Sequence, residues 1–161
     1  MIVRPGLRFM LSHPAHFIAL GFGTGLAPVA PGTVGTLLGF PLYHAMAPVL
    51  SPLEIALALA VLFLLGVWAC ARTGRDLGVS DHSGMVWDEV VAFALILMFT
   101  PPGLAWQVFA FLVFRVFDVL KPPPIRLVDA RWKGGVGVMA DDILAAAYSL
   151  LVIALAVRIV A

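Results

Sequence analysis

Residues 88–115 read DEVVAFALILMFTPPGLAWQVFAFLVFR, and the way this stretch divides decides the fold. Nothing from Val90 to Phe114 is charged, but Pro101-Pro102-Gly103 interrupts the run and leaves arms of 10 residues (Val90 to Phe99) and 11 residues (Leu104 to Phe114). As a helix each arm is about 15 Å long, half of a hydrocarbon layer roughly 30 Å thick. Two arrangements satisfy this: a re-entrant or core helical hairpin turning at the prolines, or one long kinked span. Asp88-Glu89 closes one end and Arg115 the other.

Outward from this stretch the chain stays apolar. Residues 55–71 (IALALAVLFLLGVWACA) carry no charge and make a helix of about 25 Å, which predicts a transmembrane helix. Residues 143–157 (ILAAAYSLLVIALAV), followed by Arg158, predict a last apolar helix, and residues 9–53 hold no charge at all. Over 161 residues the chain is 62% hydrophobic and 12% charged, with a mean hydropathy of +1.06. An ordinary soluble domain is roughly one-quarter charged. The expected fold is therefore all-α: a compact multi-helix bundle embedded in a lipid bilayer, with a broken or re-entrant hairpin near 90–114 and one domain over 1–161. A net charge of +1 argues against a nucleic-acid partner. The single cysteine, Cys70, excludes an internal disulfide and a thiolate metal cage; at the end of an apolar run it reads as a packed core thiol. Met1-Ile-Val-Arg-Pro-Gly6 has no apolar core before a small-residue cleavage site and does not read as a cleaved leader.

The charges cluster instead. Six lie in 72–89 and nine in 115–142, so two short windows hold 15 of the 19, including every carboxylate except Glu54. Both windows end in paired acids, Asp88-Glu89 and Asp141-Asp142, immediately before an apolar helix. One acid would be enough to cap a helix. Gly84-Met-Val-Trp-Asp88-Glu89 also aligns without gaps on Gly137-Val-Met-Ala-Asp141-Asp142, a weak internal repeat. Neighbouring helical residues point about 100° apart, so each pair can send one carboxylate toward a shared centre. Carboxylates gathered there repel one another, and a hard divalent cation relieves the repulsion. With oxygen donors and scattered histidines the expected ion is Mg²⁺ rather than Zn²⁺.

Two further segments supply anion chemistry. Gly21-Phe-Gly-Thr24-Gly-Leu-Ala-Pro-Val-Ala-Pro-Gly32-Thr33-Val-Gly35-Thr36 is too rich in Gly, Pro and Thr for a regular element and reads as an ordered loop feeding a helix from about Val34. Its amides and the Thr24, Thr33 and Thr36 hydroxyls suit an oxyanion, while a tight loop of small residues packing against helices explains it equally well. From Phe114 to Asp129, Arg115 and Asp118, Asp118 and Lys121, and Arg126 and Asp129 each stand three apart on apolar flanks, so this polar stripe should face a cleft or the headgroup layer. Pro122-Pro123-Pro124 predicts an extended segment. Gly134-Gly135-Val-Gly137 then allows close backbone approach before Asp141.

Together, the Gly21–Thr36 segment, Asp81-His-Ser-Gly-Met-Val-Trp-Asp-Glu89, and the blocks running from Phe114 through Arg126 to Asp142 resemble the phosphatidylglycerophosphatase A family, all in order and covering most of 17–150. The resemblance implies Mg²⁺-dependent hydrolysis of the terminal phosphomonoester of phosphatidylglycerophosphate at the bacterial inner membrane. It also implies that lipid as the substrate and the bilayer as the setting. Soluble all-helical members exist too, so the hydropathy of this chain decides for embedding. Asp88, Glu89, Asp141 and Asp142 are then the expected metal ligands, with Asp129 an additional candidate. Asp118, Lys121 and Asp129 form the catalytic set, Asp118 as general base or orienting carboxylate. Arg115, Arg126 and Lys121 would contact phosphate, and Thr24, Gly32, Thr33, Gly35 and Thr36 would line the substrate cradle. His82, the histidine nearest the acids, is expected in a supporting role at most. The five bases in 115–142 favour the cytoplasmic face, and bringing both acid windows to that face selects the hairpin. The competing classes are a small ion-coupled transporter, whose acids would interrupt the spans, and a noncatalytic membrane protein whose acid pairs only cap helices.

Overall fold

The computed structural model describes residues 5–160. Residues 1–4, part of the segment read above as no leader, lie outside the described residues, as does the side chain of Asp129. The described residues form helices and turns with no strand, as the composition predicts.

Two long helices set the frame. Helix α5, Pro52–Leu77, starts from a capping box: the Ser51 hydroxyl accepts from the Glu54 N–H, the Glu54 carboxylate accepts from the Ser51 N–H at 2.8 Å, and Pro52 takes the first helical position. Glu54, the isolated acid, therefore belongs to this cap. The helix stops at Gly78, whose φ of +72° is left-handed. Helix α9 is Gly135–Val160. At 26 residues each is about 39 Å long, enough to cross a hydrocarbon layer. Only 28% and 22% of their most apolar windows are buried within the molecule, unlike the core helices of a soluble protein. Leu57, Val61, Leu64 and Trp68 form an exposed stripe along α5, and Leu151 and Leu155 continue the apolar surface on α9. These outward faces mark a membrane protein.

Between the long helices sits the segment that opened the sequence reading, as helix α6 (Trp87–Phe99) and helix α7 (Leu104–Leu120). Thr100, extended, turns its hydroxyl back onto the Ile96 carbonyl at 2.8 Å, and Gly103 at φ +115° starts the return. The Phe93 ring meets those of Phe111 and Phe114 at centroid distances of 5.6 and 6.0 Å, and Glu89 meets Arg115, so the arms run antiparallel. The arrangement is the hairpin, not the kinked span. Val90 through Ala94, Ile96 and Leu97 are all buried, so α6 is a central helix packed by its neighbours on every side and too short to cross a membrane itself. In contrast α7 exposes Leu104, Val108, Leu112 and Val116 at fourfold spacing.

Three expectations are revised. The Gly21–Thr36 segment is not a plain loop: it holds a 3₁₀ turn (Gly21–Leu26) and helix α3 (Pro31–Thr36), because Pro31 is tolerated at the first helical position where no donor is needed. The triple proline is a turn that opens helix α8 (Ile125–Arg131), not an extended segment. The last helix begins at Gly135, not near 143, so Asp141 and Asp142 lie about two turns inside it rather than ahead of it. That early start requires glycine, since a Cβ at Gly135 would stand 1.9 Å from the Val67 carbonyl oxygen of α5. The 18 residues after Asp142 still make about 27 Å of apolar helix.

The remaining helices, α1 (Leu7–Leu11), α2 (Pro14–Ala19) and α4 (Gly39–Met46), wrap this frame. Buried His16 of α2 meets Thr73 Oγ1 at 3.0 Å and Asp76 Oδ2 at 3.1 Å, fastening the amino-terminal helices to the end of α5.

Candidate active site: a buried acid cluster with two cations

Three helices deliver the charged groups. Asp88 and Glu89 come from the first turn of α6, Asp141 and Asp142 from α9, and Arg115 and Asp118 from α7. Lys121 follows the end of α7 with φ +42°, and this left-handed residue turns the chain out of the helix. All five acids are buried, none more than 9% exposed. One ligand oxygen from each of Asp88, Asp141 and Asp142 can be chosen so that all three lie within 4.8 Å of one another. A cavity of about 250 Å³ opens on the cluster, lined among others by Asp88, Glu89, Asp118, Asp142, Arg115 and Lys121.

Two cations organise these acids. Arg115 Nη1 donates to Asp118 Oδ2 at 2.7 Å, to Glu89 Oε1 at 3.3 Å and to the Thr36 hydroxyl at 3.1 Å, while that hydroxyl donates to the Gly32 carbonyl at 2.8 Å. Lys121 pairs with Asp141 across to α9. Gly32 packs against the first of these groups: a Cβ there would lie 2.1 Å from Glu89 Oε1. Burial, opposed by Arg115 but reinforced by Asp118, pushes the Glu89 carboxyl up to about 8, and burial beside Glu89 and Asp81 raises Asp88 well above the usual carboxylate range.

Asp88 Oδ1, Glu89 Oε2 and Asp142 Oδ2 are buried with no hydrogen-bond partner, as is Arg115 Nε. Such groups are costly unless something satisfies them. An all-oxygen, converging donor set fits a hard divalent cation. Arg115 Nε is a donor, and beside such a cation it fits the oxygen of an anion.

The other expected residues divide. Gly32 and Thr36 join the site, Gly32 by leaving room and Thr36 by holding Arg115. Gly35 faces Val86, which a Cβ would meet at 2.5 Å, so it serves helix packing. The Thr24 hydroxyl is turned onto the Gly21 carbonyl at 2.8 Å, and neither Thr24 nor Thr33 lines the cavity. Arg126 is exposed on α8 beside the fully buried Ile125 and is not brought to the cavity. The role expected of Asp129 falls on a side chain outside the described residues. Sequence reasoning gave no place to Ser83 and Pro31, which line the cavity with His82. The available signal was their place at two helix entrances, Ser83 in the loop ahead of α6 and Pro31 at the first position of α3.

The sequence model of the phosphatidylglycerophosphatase A family matches residues 17–157. The chain belongs to this family of phosphatases. Proteins named phosphatidylglycerophosphatase A from Haemophilus influenzae and Escherichia coli are 42% and 39% identical to it, over 92% and 88% of this chain and 92% and 83% of their own lengths. A Bacteroides thetaiotaomicron protein named putative phosphatidylinositol-3-phosphatase is 40% identical over 86% of this chain and 91% of its own. No solved structure gives a significant match. The family's matched region holds both acid pairs, Arg115 and Lys121.

Proposed function

We propose that the chain is a Mg²⁺-dependent phosphatidylglycerophosphatase, which hydrolyses the terminal phosphomonoester of phosphatidylglycerophosphate to phosphatidylglycerol and phosphate. The observation that carries the reading is the set of unpartnered carboxylate oxygens beside Arg115, in a molecule with two helices long and apolar enough to cross a bilayer. Asp88, Asp141 and Asp142 would hold the ion, with Glu89 as a further ligand. Once bound, Mg²⁺ neutralises charge on phosphoryl oxygens and activates water.

The chain's own groups supply the rest. Arg115, held in place by Asp118, Glu89 and Thr36, offers its unpartnered Nε–H to a phosphoryl oxygen. Lys121, steadied by Asp141, adds a second positive charge at the cavity wall. Asp118 faces the cavity and accepts a proton from the attacking water, with Arg115 fixing its orientation.

The five basic residues of 115–142 support a site on the cytoplasmic side of the bacterial inner membrane, with α5 and α9 as spans. The Bacteroides relative's name points to a phosphomonoester on a different lipid alcohol, and this supports a second reading in which the same phosphoryl site serves phosphatidylinositol 3-phosphate. The test is phosphate release by the purified protein in mixed micelles of each lipid, with Mg²⁺ or EDTA. Mg²⁺-dependent turnover of phosphatidylglycerophosphate at the higher kcat/KM is expected. No release from either lipid would leave a transporter or a noncatalytic protein.

A further inference from the structure

Beside the acid cavity lies a second and larger one, of about 520 Å³. The two share Pro31, His82 and Ser83. The larger cavity differs in chemistry: among its described lining residues none is Asp, Glu, Lys or Arg. Among those described residues a phosphate would find no cation, so this space suits an uncharged, hydroxyl-bearing group. In its wall Gly25 and Gly84 pack backbone to backbone; a Cβ on Gly25 would stand 1.9 Å from the Gly84 oxygen.

His82 stands on the border with its ring fixed. The Gly84 N–H donates to His82 Nδ1 at 3.0 Å, and the Met85 N–H donates to the His82 carbonyl at 2.7 Å, closing a tight turn. With Nδ1 committed as an acceptor, the neutral ring carries its proton on Nε2 and offers that N–H as a donor. A ring held in this way donates a hydrogen bond without giving up its proton.

We propose that the larger cavity seats the uncharged terminal glycerol of the substrate, and that His82 Nε2–H donates to the free hydroxyl of that glycerol, making His82 a specificity-determining residue. This rests on the phosphomonoesterase reading. The terminal phosphoryl group would occupy the acid cavity, and the glycerol that carries it would occupy the neutral one.

The experiment compares kcat/KM for dioctanoyl phosphatidylglycerophosphate with that for the same lipid lacking the free hydroxyl of its terminal glycerol, in detergent micelles with Mg²⁺. Wild-type protein should prefer the hydroxylated lipid by roughly tenfold. His82→Ala should bring the two substrates to within about twofold by lowering turnover of the hydroxylated one, and His82→Gln, which keeps a donor, should restore part of the preference. Equal losses on both lipids, a wild type without preference, or variants inert on both would overturn the assignment. A wild-type protein inert on both lipids would overturn the phosphatase reading itself, a result distinguishable from an active enzyme that ignores the hydroxyl.

Discussion

Glu89 Oε1 lies 3.3 Å from Arg115 Nη1 although 26 residues separate them, and this pair joins the start of α6 to the end of α7 across the open end of the hairpin. The same contact fixes the topology and aligns a guanidinium with the acid cluster. Glu89 is at once a partner of Arg115 and, through its unpartnered Oε2, a group left facing the cluster.

Gly32 guards that pair, because a methyl group at this position would press on the Glu89 carboxylate at 2.1 Å. Gly32→Ala should shift Glu89 and with it Arg115. Activity should fall by about 100-fold, the scale of a misplacement near 1 Å. Phosphate release alongside a thermal melt checks it: the melting temperature should move far less than the turnover.

Thr36 tests positioning more gently. Thr36→Val keeps the shape but removes the hydroxyl that links the Gly32 carbonyl to Arg115. The expected cost is about 1–2 kcal/mol in transition-state stabilisation, roughly a tenfold fall in kcat/KM. Steady-state kinetics at saturating Mg²⁺ will show it.

Asp88 is buried beside like charges and has an oxygen without a partner. In EDTA, Asp88→Asn should therefore stabilise the protein by about 1–3 kcal/mol, whereas with Mg²⁺ present it should abolish turnover. Melting curves with and without Mg²⁺ separate the effects: the ion should raise the wild-type midpoint and leave that of the variant nearly unchanged.

Val61 lies midway along the exposed stripe of α5. Val61→Arg should cost about 3 kcal/mol of membrane insertion. Fractionation after a carbonate wash should move protein from the membrane pellet to the soluble fraction, whereas Arg72→Ala at the polar end of the helix should not.

The parts of this architecture that hydropathy governs could be read in advance. The charge-free runs and the Pro101-Pro102-Gly103 break announced α5 and the hairpin, because apolar length and proline sterics act locally. The start of α9 escaped because Gly134 through Gly137 suggests a loop by propensity, while packing on Val67 makes glycine the residue that fits a helix there. Lys121 stands three residues from Asp118, but its left-handed backbone carries the chain out of α7, where it meets Asp141. Arg126 looked equivalent to Arg115 in sequence, yet the turn at the triple proline places it on the outside of α8. Contacts between distant segments, such as Thr36 to Arg115, leave no trace in linear spacing.

The most direct test of the central claim is the anomalous scattering of a crystal grown with Mn²⁺ as a substitute for Mg²⁺. The account predicts a peak bound by carboxylate oxygens of Asp88, Asp141 and Asp142, and its loss in Asp142→Asn. A crystal at saturating Mn²⁺ with no peak among these three side chains, or with the ion held elsewhere, would contradict it.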